Sequence, residues 1–279
     1  MIVHVLDGTY ELFRHYYGLQ RAKQHKHPFS AVAGLLRTVV QMIEEGATHL
    51  GVATDHVIES FRNSLWAEYK TGEGIEPTLF SQFHPLEQAL ESMGIAVWPM
   101  VEFEADDALA SAAHIASLEA GVEVVKIWTP DKDLAQCVVG NRVVQVDRRS
   151  GQVRNAGVIR AKYGVDPVHI PDYLALVGDT ADGYPGVRGI GTKTAARLVN
   201  QYGSIEQFPS EILGENREMA LLFKKLATLR TDLPLFTDVE QLRWTGPRPS
   251  FATWVESLGD PALPARLQKL TEFGYGQRR

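Results

Sequence analysis

The chain has 279 residues, with 28 Lys and Arg against 34 Asp and Glu, a formal charge of −6. Hydrophobic residues make up 44% and charged residues 22%, a balance that supports a sizeable core and excludes a disordered chain. A single cysteine, Cys137, excludes an internal disulfide and a Cys-rich zinc site, and no apolar run reaches the ~18–20 residues of a membrane span.

The opening, MIVHVLDG, lacks the basic-then-apolar pattern of a signal peptide, so a cytoplasmic location is expected. Apolar runs at 2–6, 48–54, 95–98, 122–128 and 142–146 read as strands. Between them, 30–45, 80–93 and 104–119 carry apolar residues at helical spacing. Such alternation predicts an α/β fold, a mostly parallel sheet with flanking helices. The glycine- and proline-punctuated stretch 70–79 reads as a loop or mobile connection. From about residue 167 strand signals fade, and helices at 170–177 and 192–201 are joined by glycine turns. The expected layout is an α/β domain over 1–165 and a smaller helical region over 166–279.

Acidic residues recur just after the strands. Asp7 follows the first and Asp55 the second; Glu104, Asp106 and Asp107 follow the third, and Asp131 and Asp133 the fourth. Ligands of an open parallel sheet gather at its carboxyl ends, so seven acids would converge there. Asp179 and Asp182, in VGDTADGYPG, add two more. Taken singly, each suits a helix cap or a turn. Taken together they repel, and a divalent cation with a preference for oxygen ligands supplies the reason to collect them. Nine acids suggest two ions, an arrangement suited to phosphodiester hydrolysis.

VEFEADDALAS (101–111), TPDKDLAQ (129–136) and LVGDTADGYPGVRGIGTKTAARLV (176–199) resemble the signature of the 5′-nuclease family, and VLDGTYELFRHYY, TDHVIESFRNSLWAEYK and KKLATLRTD continue it. This family comprises the 5′→3′ exonuclease domain of bacterial DNA polymerase I, stand-alone bacterial and phage 5′ exonucleases, and flap endonucleases. The resemblance implies a PIN-like nuclease core, an arch near 70–84, and a helix-three-turn-helix motif in the helical region. It implies two Mg²⁺ ions, replaceable by Mn²⁺. Asp7, Glu104, Asp106 and Asp107 would bind chiefly the first, with Asp131 and Asp133 close by. Asp179 and Asp182 would help position the second, and Asp55 would act through water. Lys70, at the base of the arch, would contact the scissile phosphate, and Arg62 would steer phosphate. The chain departs from the family at Glu73, where an arginine is common.

The segment PGVRGIGTKTA (185–195) fails the pattern of a nucleotide-binding phosphate loop, since Thr192 separates Gly191 from Lys193. It reads either as a packing turn or as a glycine turn into a helix start that accepts phosphate. The resemblance favours the second: Arg188, Gly189, Gly191, Lys193 and Thr194 would hold duplex DNA. Backbone at Leu176, Val177, Pro185, Val187 and Ile190 would bind K⁺. The run QRAKQHKHP (20–28) is a solvated loop or a DNA-facing patch. The expectation is a monomeric, stand-alone, metal-dependent 5′→3′ exonuclease and flap endonuclease acting on DNA. The alternatives are a catalytically weak DNA-structure-binding protein and a PIN-like ribonuclease.

Overall fold

A computed structural model describes residues 1–22 and 27–272. Six strands form one sheet: β1 (Ile2–Asp7), β2 (His49–Asp55), β3 (Ala96–Met100), β4 (Val124–Trp128), β5 (Val143–Asp147) and β6 (Gln152–Arg154). Their order is β3-β2-β1-β4-β5-β6. The first five run parallel, and β6 pairs antiparallel with β5. The five parallel strands fall within two residues of the expected spans. The hairpin strand β6 was not anticipated, because Gln152-Val153-Arg154 is too short and polar to show an apolar run. β1 lies central, with Val3 and Val5 buried in the core on one face and Leu6 in the core on the other, so both its faces are covered.

One face of the sheet carries α1 (Gly8–Arg21), α2 (Ser30–Glu44) and α5 (Phe83–Ser92) over a core including Leu35, Leu36 and Leu90. The other carries α6 (Ala105–Leu118), whose Ala108, Ala112 and Ala113 let the helix pack closely on Val5 and Val125. Between β2 and α5 lie the short α3 (Phe61–Leu65) and α4 (Pro77–Phe80). The loop expectation for 70–79 is therefore corrected at its end. Pro77 opens a helical turn, as its fixed φ favours, and Leu79 is fully buried. Glu76 accepts from the Tyr16 hydroxyl at 3.0 Å and the Gln20 amide at 3.2 Å, pinning this segment to α1.

After β6 come α7 (Ala156–Tyr163), α8 (Ile170–Val177), α9 (Thr192–Tyr202), α10 (Ser210–Leu213) and α11 (Arg217–Ala227). They share a separate core that includes Ile159, Leu174, Leu198 and Phe223. The chain then returns to the sheet: Leu229, Phe236 and Leu242 join the α6 side. Trp244 joins the α2 side, its indole N–H donating to the Met93 carbonyl at 2.9 Å. There α12 (Ala252–Leu258) and α13 (Ala262–Glu272) pack beside α2. The sequence reading grouped these last helices with the helical region, whereas their apolar residues complete the core of the sheet. Among the described residues no helix is long and apolar enough to cross a membrane.

Candidate metal centre

The acidic residues converge at the carboxyl ends of the parallel strands, and each is fixed by local backbone chemistry. Asp7 ends β1 and caps α1: its Oδ1 accepts the Tyr10 amide at 2.8 Å, and its Oδ2 accepts the Thr129 hydroxyl at 3.0 Å. Asp55 ends β2, and its Oδ1 accepts the amide of Ala105, the first residue of α6, at 2.8 Å. Burial pushes the Asp7 carboxyl up to about 7, with the charges of Asp55 and Asp131 adding to it. The Asp55 carboxyl is also raised by burial, against the pull of Lys70.

Asp106, Asp131 and Asp133 each bring one oxygen to within 4.8 Å of the others. Asp106 and Asp133 are buried, while Asp131 is open to solvent. Burial drives the Asp106 and Asp133 carboxyls well above the usual range, and neighbouring carboxylates add to the effect. Asp133 Oδ1 is buried without a hydrogen-bond partner. An unsatisfied buried oxygen among like charges costs stability, and a hard divalent cation would satisfy it. The donors are all carboxylate oxygens, the set that suits Mg²⁺ or Mn²⁺.

Beside this open group lies one already neutralised. Arg62 is fully buried; its guanidinium donates to both Asp107 oxygens at 2.7 and 2.8 Å and to Glu104 at 3.0 Å. It also donates to the carbonyls of Leu226 at 2.8 Å and Thr228 at 3.2 Å. Asp107 accepts the amides of Glu104 and Arg230 as well. Every direction of the Arg62 fork is thus engaged inside the protein, and both Asp107 oxygens are engaged by Arg62 and backbone amides, whereas the resemblance implies a phosphate-steering role for the first and a metal-binding role for the second.

Lys70 stands between the groups, its Nζ 2.7 Å from Glu104 Oε2 and 3.5 Å from Asp182 Oδ1. Burial alone would lower its pKa, but Glu104 and Asp182 hold it well above the ordinary value. Burial would raise the Glu104 carboxyl; Lys70 and Arg62 outweigh it and hold the carboxyl below its usual value. The loop carrying Asp179 and Asp182 is locked onto the segment before Lys70. The Lys70 amide donates to the Asp182 carbonyl at 3.0 Å, and the Trp66 indole donates to the Gly183 carbonyl at 3.0 Å. Gly183, at φ +84°, packs so close that a Cβ would stand 2.0 Å from the Glu68 carbonyl oxygen. Asp182 is raised to about 6 by burial, opposed by Lys70 and helped by Asp179. Asp179 Oδ1 accepts the Ala181 amide at 3.0 Å and pairs with Lys132 at 2.9 Å. Glu73 lies exposed, away from these contacts.

Past this loop, Gly178 and Gly186 cross back to back at φ +85° and +73°. A Cβ on Gly186 would meet the Gly178 nitrogen at 2.3 Å, so backbone at 176–178 lies against 185–187. The Val187 amide donates to the Leu176 carbonyl at 2.8 Å, and the Ile190 amide to the Val187 carbonyl at 3.0 Å; Pro185 and Val177 complete the crossing. The turn then exposes Arg188, Gly189, Gly191 and Lys193, with Thr194 half-buried in the first turn of α9. Of the basic run near 20–28, Lys23 and Lys26 lie outside the described residues. Sequence reasoning missed Thr129 and Ser60. The Ser60 hydroxyl donates to Glu104 at 2.7 Å, and neither residue type signals such a role before folding.

Residues 2–164 match the family described as 5′-3′ exonuclease, N-terminal resolvase-like domain, and residues 165–250 match its C-terminal SAM fold. The chain is 34% identical over 251 residues to a 5′-3′ exonuclease of Aquifex aeolicus, covering 86% of each. It is 32% identical over 259 residues to DNA polymerase I of Bacillus caldotenax, covering 87% of this chain but 29% of the polymerase. Among solved structures, the bacteriophage T5 D15 flap endonuclease, in a complex with DNA and metal ions, shares the fold. Its TM-score is 0.65 at 18% identity, over 99% of this chain and 100% of the other. With both segments matched in order, the chain belongs to the 5′-3′ exonuclease family.

Proposed function

We propose that the chain is a divalent-metal-dependent nuclease that hydrolyses phosphodiesters in DNA bearing 5′ ends, flaps or nicks. The observation that carries this reading is the Asp106, Asp131 and Asp133 group, with its unpartnered buried oxygen at the strand ends. Asp7 and these three would hold one ion. Asp179 and Asp182 would serve a second, with Asp55 acting through water. Two divalent ions, when bound, would lower the pKa of the attacking water and neutralise charge on the phosphate.

The chain's own residues do the rest. Lys70 keeps its proton beside Glu104 and Asp182 and would present an ammonium to the scissile phosphate. Glu104 orients Lys70, while Arg62 and Asp107 tie α3, α6 and the end of α11 into one frame. At the glycine turn, Arg188, Gly189, Gly191, Lys193 and Thr194 would grip duplex phosphates without reading sequence. The crossing at Gly178 and Gly186 supports a K⁺ held by carbonyls of Leu176, Val177, Pro185, Val187 and Ile190. Labelled 5′-flap, nicked and single-stranded DNA, with an RNA counterpart, are the test. Mg²⁺-dependent product from the flap or nick is expected. Binding without cleavage, or preference for RNA, would overturn the reading.

A further inference from the structure

Helices α1, α2 and α13, with the turn after β5, enclose an open groove of about 750 Å³ lined by Arg14, Arg37, Arg148, Arg149 and Arg266. Three of these are held by carboxylates: Arg14 by Glu11 at 2.5 Å, Arg37 by Asp260 at 2.8 Å and Arg266 by Glu44 at 2.6 Å. Among the described residues neither Arg148 nor Arg149 pairs with a carboxylate. Arg148 donates to the Gln41 side chain at 3.0 Å and lies over the Trp128 ring at 5.9 Å. Burial, reinforced by Arg14, Arg37 and Arg148, pushes the His15 imidazole in this wall down to about 3. Arg148 and Arg149 therefore add unpaired positive charge to a wall that also holds three paired guanidinium groups and Glu45, and a polyanion would balance that charge.

Two residues of the groove lie close along the chain to the acids of the strand ends. Arg14 stands seven residues beyond Asp7, two turns and about 10 Å along α1. Trp128, in the groove wall, ends β4 just before Thr129 and Asp131. A second hollow of about 510 Å³ shares Arg14 and Arg149 and adds Tyr10, Tyr17 and Arg21. The Tyr10 amide is the one that donates to Asp7, the cap of α1. Arginine forks beside aromatic faces, in two hollows that share Arg14 and Arg149, suit a single strand better than a rigid duplex.

We propose that this groove binds the sugar–phosphate backbone of a single-stranded arm of the DNA being cut. The proposal rests on the nuclease reading above and names where that substrate's unpaired portion lies. The test is the double variant Arg148→Ala, Arg149→Ala, with Arg149→Glu alone as a second variant at an exposed position. Binding to short and long single-stranded oligonucleotides is measured in EDTA across a salt series. Cleavage of a nicked duplex without an arm is measured separately in Mg²⁺. The double variant is expected to bind long oligonucleotides about tenfold more weakly. Its log–log salt slope should be shallower by about 1.4, two single-strand contacts at ~0.7 each. Arg149→Glu should weaken the same binding, and armless-nick cleavage should be unchanged for both. Unaltered affinity and slope in both variants overturn the proposal. So does an equal loss for a deoxynucleoside monophosphate and a long oligonucleotide, which would give the groove to a free nucleotide. Because binding is read without divalent metal, failure of the nuclease reading appears separately, as wild-type protein that does not cleave.

Discussion

Asp106 and Asp107 are successive residues of α6 with opposite surroundings. Asp107 gives both oxygens to the Arg62 guanidinium and accepts two backbone amides. Asp106 turns instead to Asp131 and Asp133, with its carboxyl raised by burial and by Asp133. The same contrast separates whole regions: Glu104 is held low by Lys70 and Arg62, while Asp7 is pushed up to about 7. An acid-rich site thus contains two populations. One is balanced by protein cations; the other is not, and is the set proposed above to hold the metal.

The strongest way to break this division is Asp133→Asn. Cleavage of a labelled 5′ flap in Mg²⁺ should fall about a thousandfold or more, while the metal-free melting temperature holds or rises. Near-wild-type turnover would remove Asp133 from the unbalanced population. Next, Lys70→Ala should lower the single-turnover rate about 10²–10³-fold and change DNA affinity far less, as expected for a donor that acts mainly in the transition state. On the architectural side, Arg62→Ala leaves Asp107 buried without a cation, while Glu104 keeps Lys70, and urea unfolding should show a loss of about 3–5 kcal/mol. An Arg62 variant of normal stability but poor phosphate binding would move Arg62 back to the catalytic side.

The two populations also respond oppositely to pH. Asp7, at about 7, and Asp182, at about 6, hold protons in the folded state that the unfolded chain releases near 3.8. The folded state therefore binds more protons, and the metal-free protein should lose stability as pH rises from about 4 to about 7. Glu104 is lowered, so its contribution is present above its ordinary value of 4.5 and lost as pH falls. Thermal melts across this range, with and without Mg²⁺, check the sign; Mg²⁺ should raise and flatten the upper part. The smallest effect is at Lys193. Lys193→Ala should make the log–log salt slope of nicked-duplex binding shallower by about 1; an unchanged slope would leave the glycine turn a packing element.

The sheet was legible because parallel strands buried on both faces show as apolar runs, and because each acid follows a run directly. The convergence of Asp106, Asp131 and Asp133 follows from that placement. The neutralisation of Asp107 does not: its partner Arg62 is 45 residues away, and the carbonyl that fixes Arg62 is 164 residues further along. The return of Trp244 and α13 was hidden for a related reason. An amphipathic pattern reveals that a helix has a buried face, but not which surface it covers.

That return has a mechanical consequence. The helical region leaves the sheet near Val165, whose side chain is in the helical core, and rejoins it near Leu229, whose side chain is in the α6 core. Between these two points it is fastened again: the Trp66 indole and the Lys70 amide hold the loop of Asp179 and Asp182, and Arg62 holds the carbonyls of Leu226 and Thr228. A body attached only at its ends could swing about the line joining them; these extra attachments off that line remove the swing. The loop bearing Asp179 and Asp182 therefore moves only with the segment that carries Lys70.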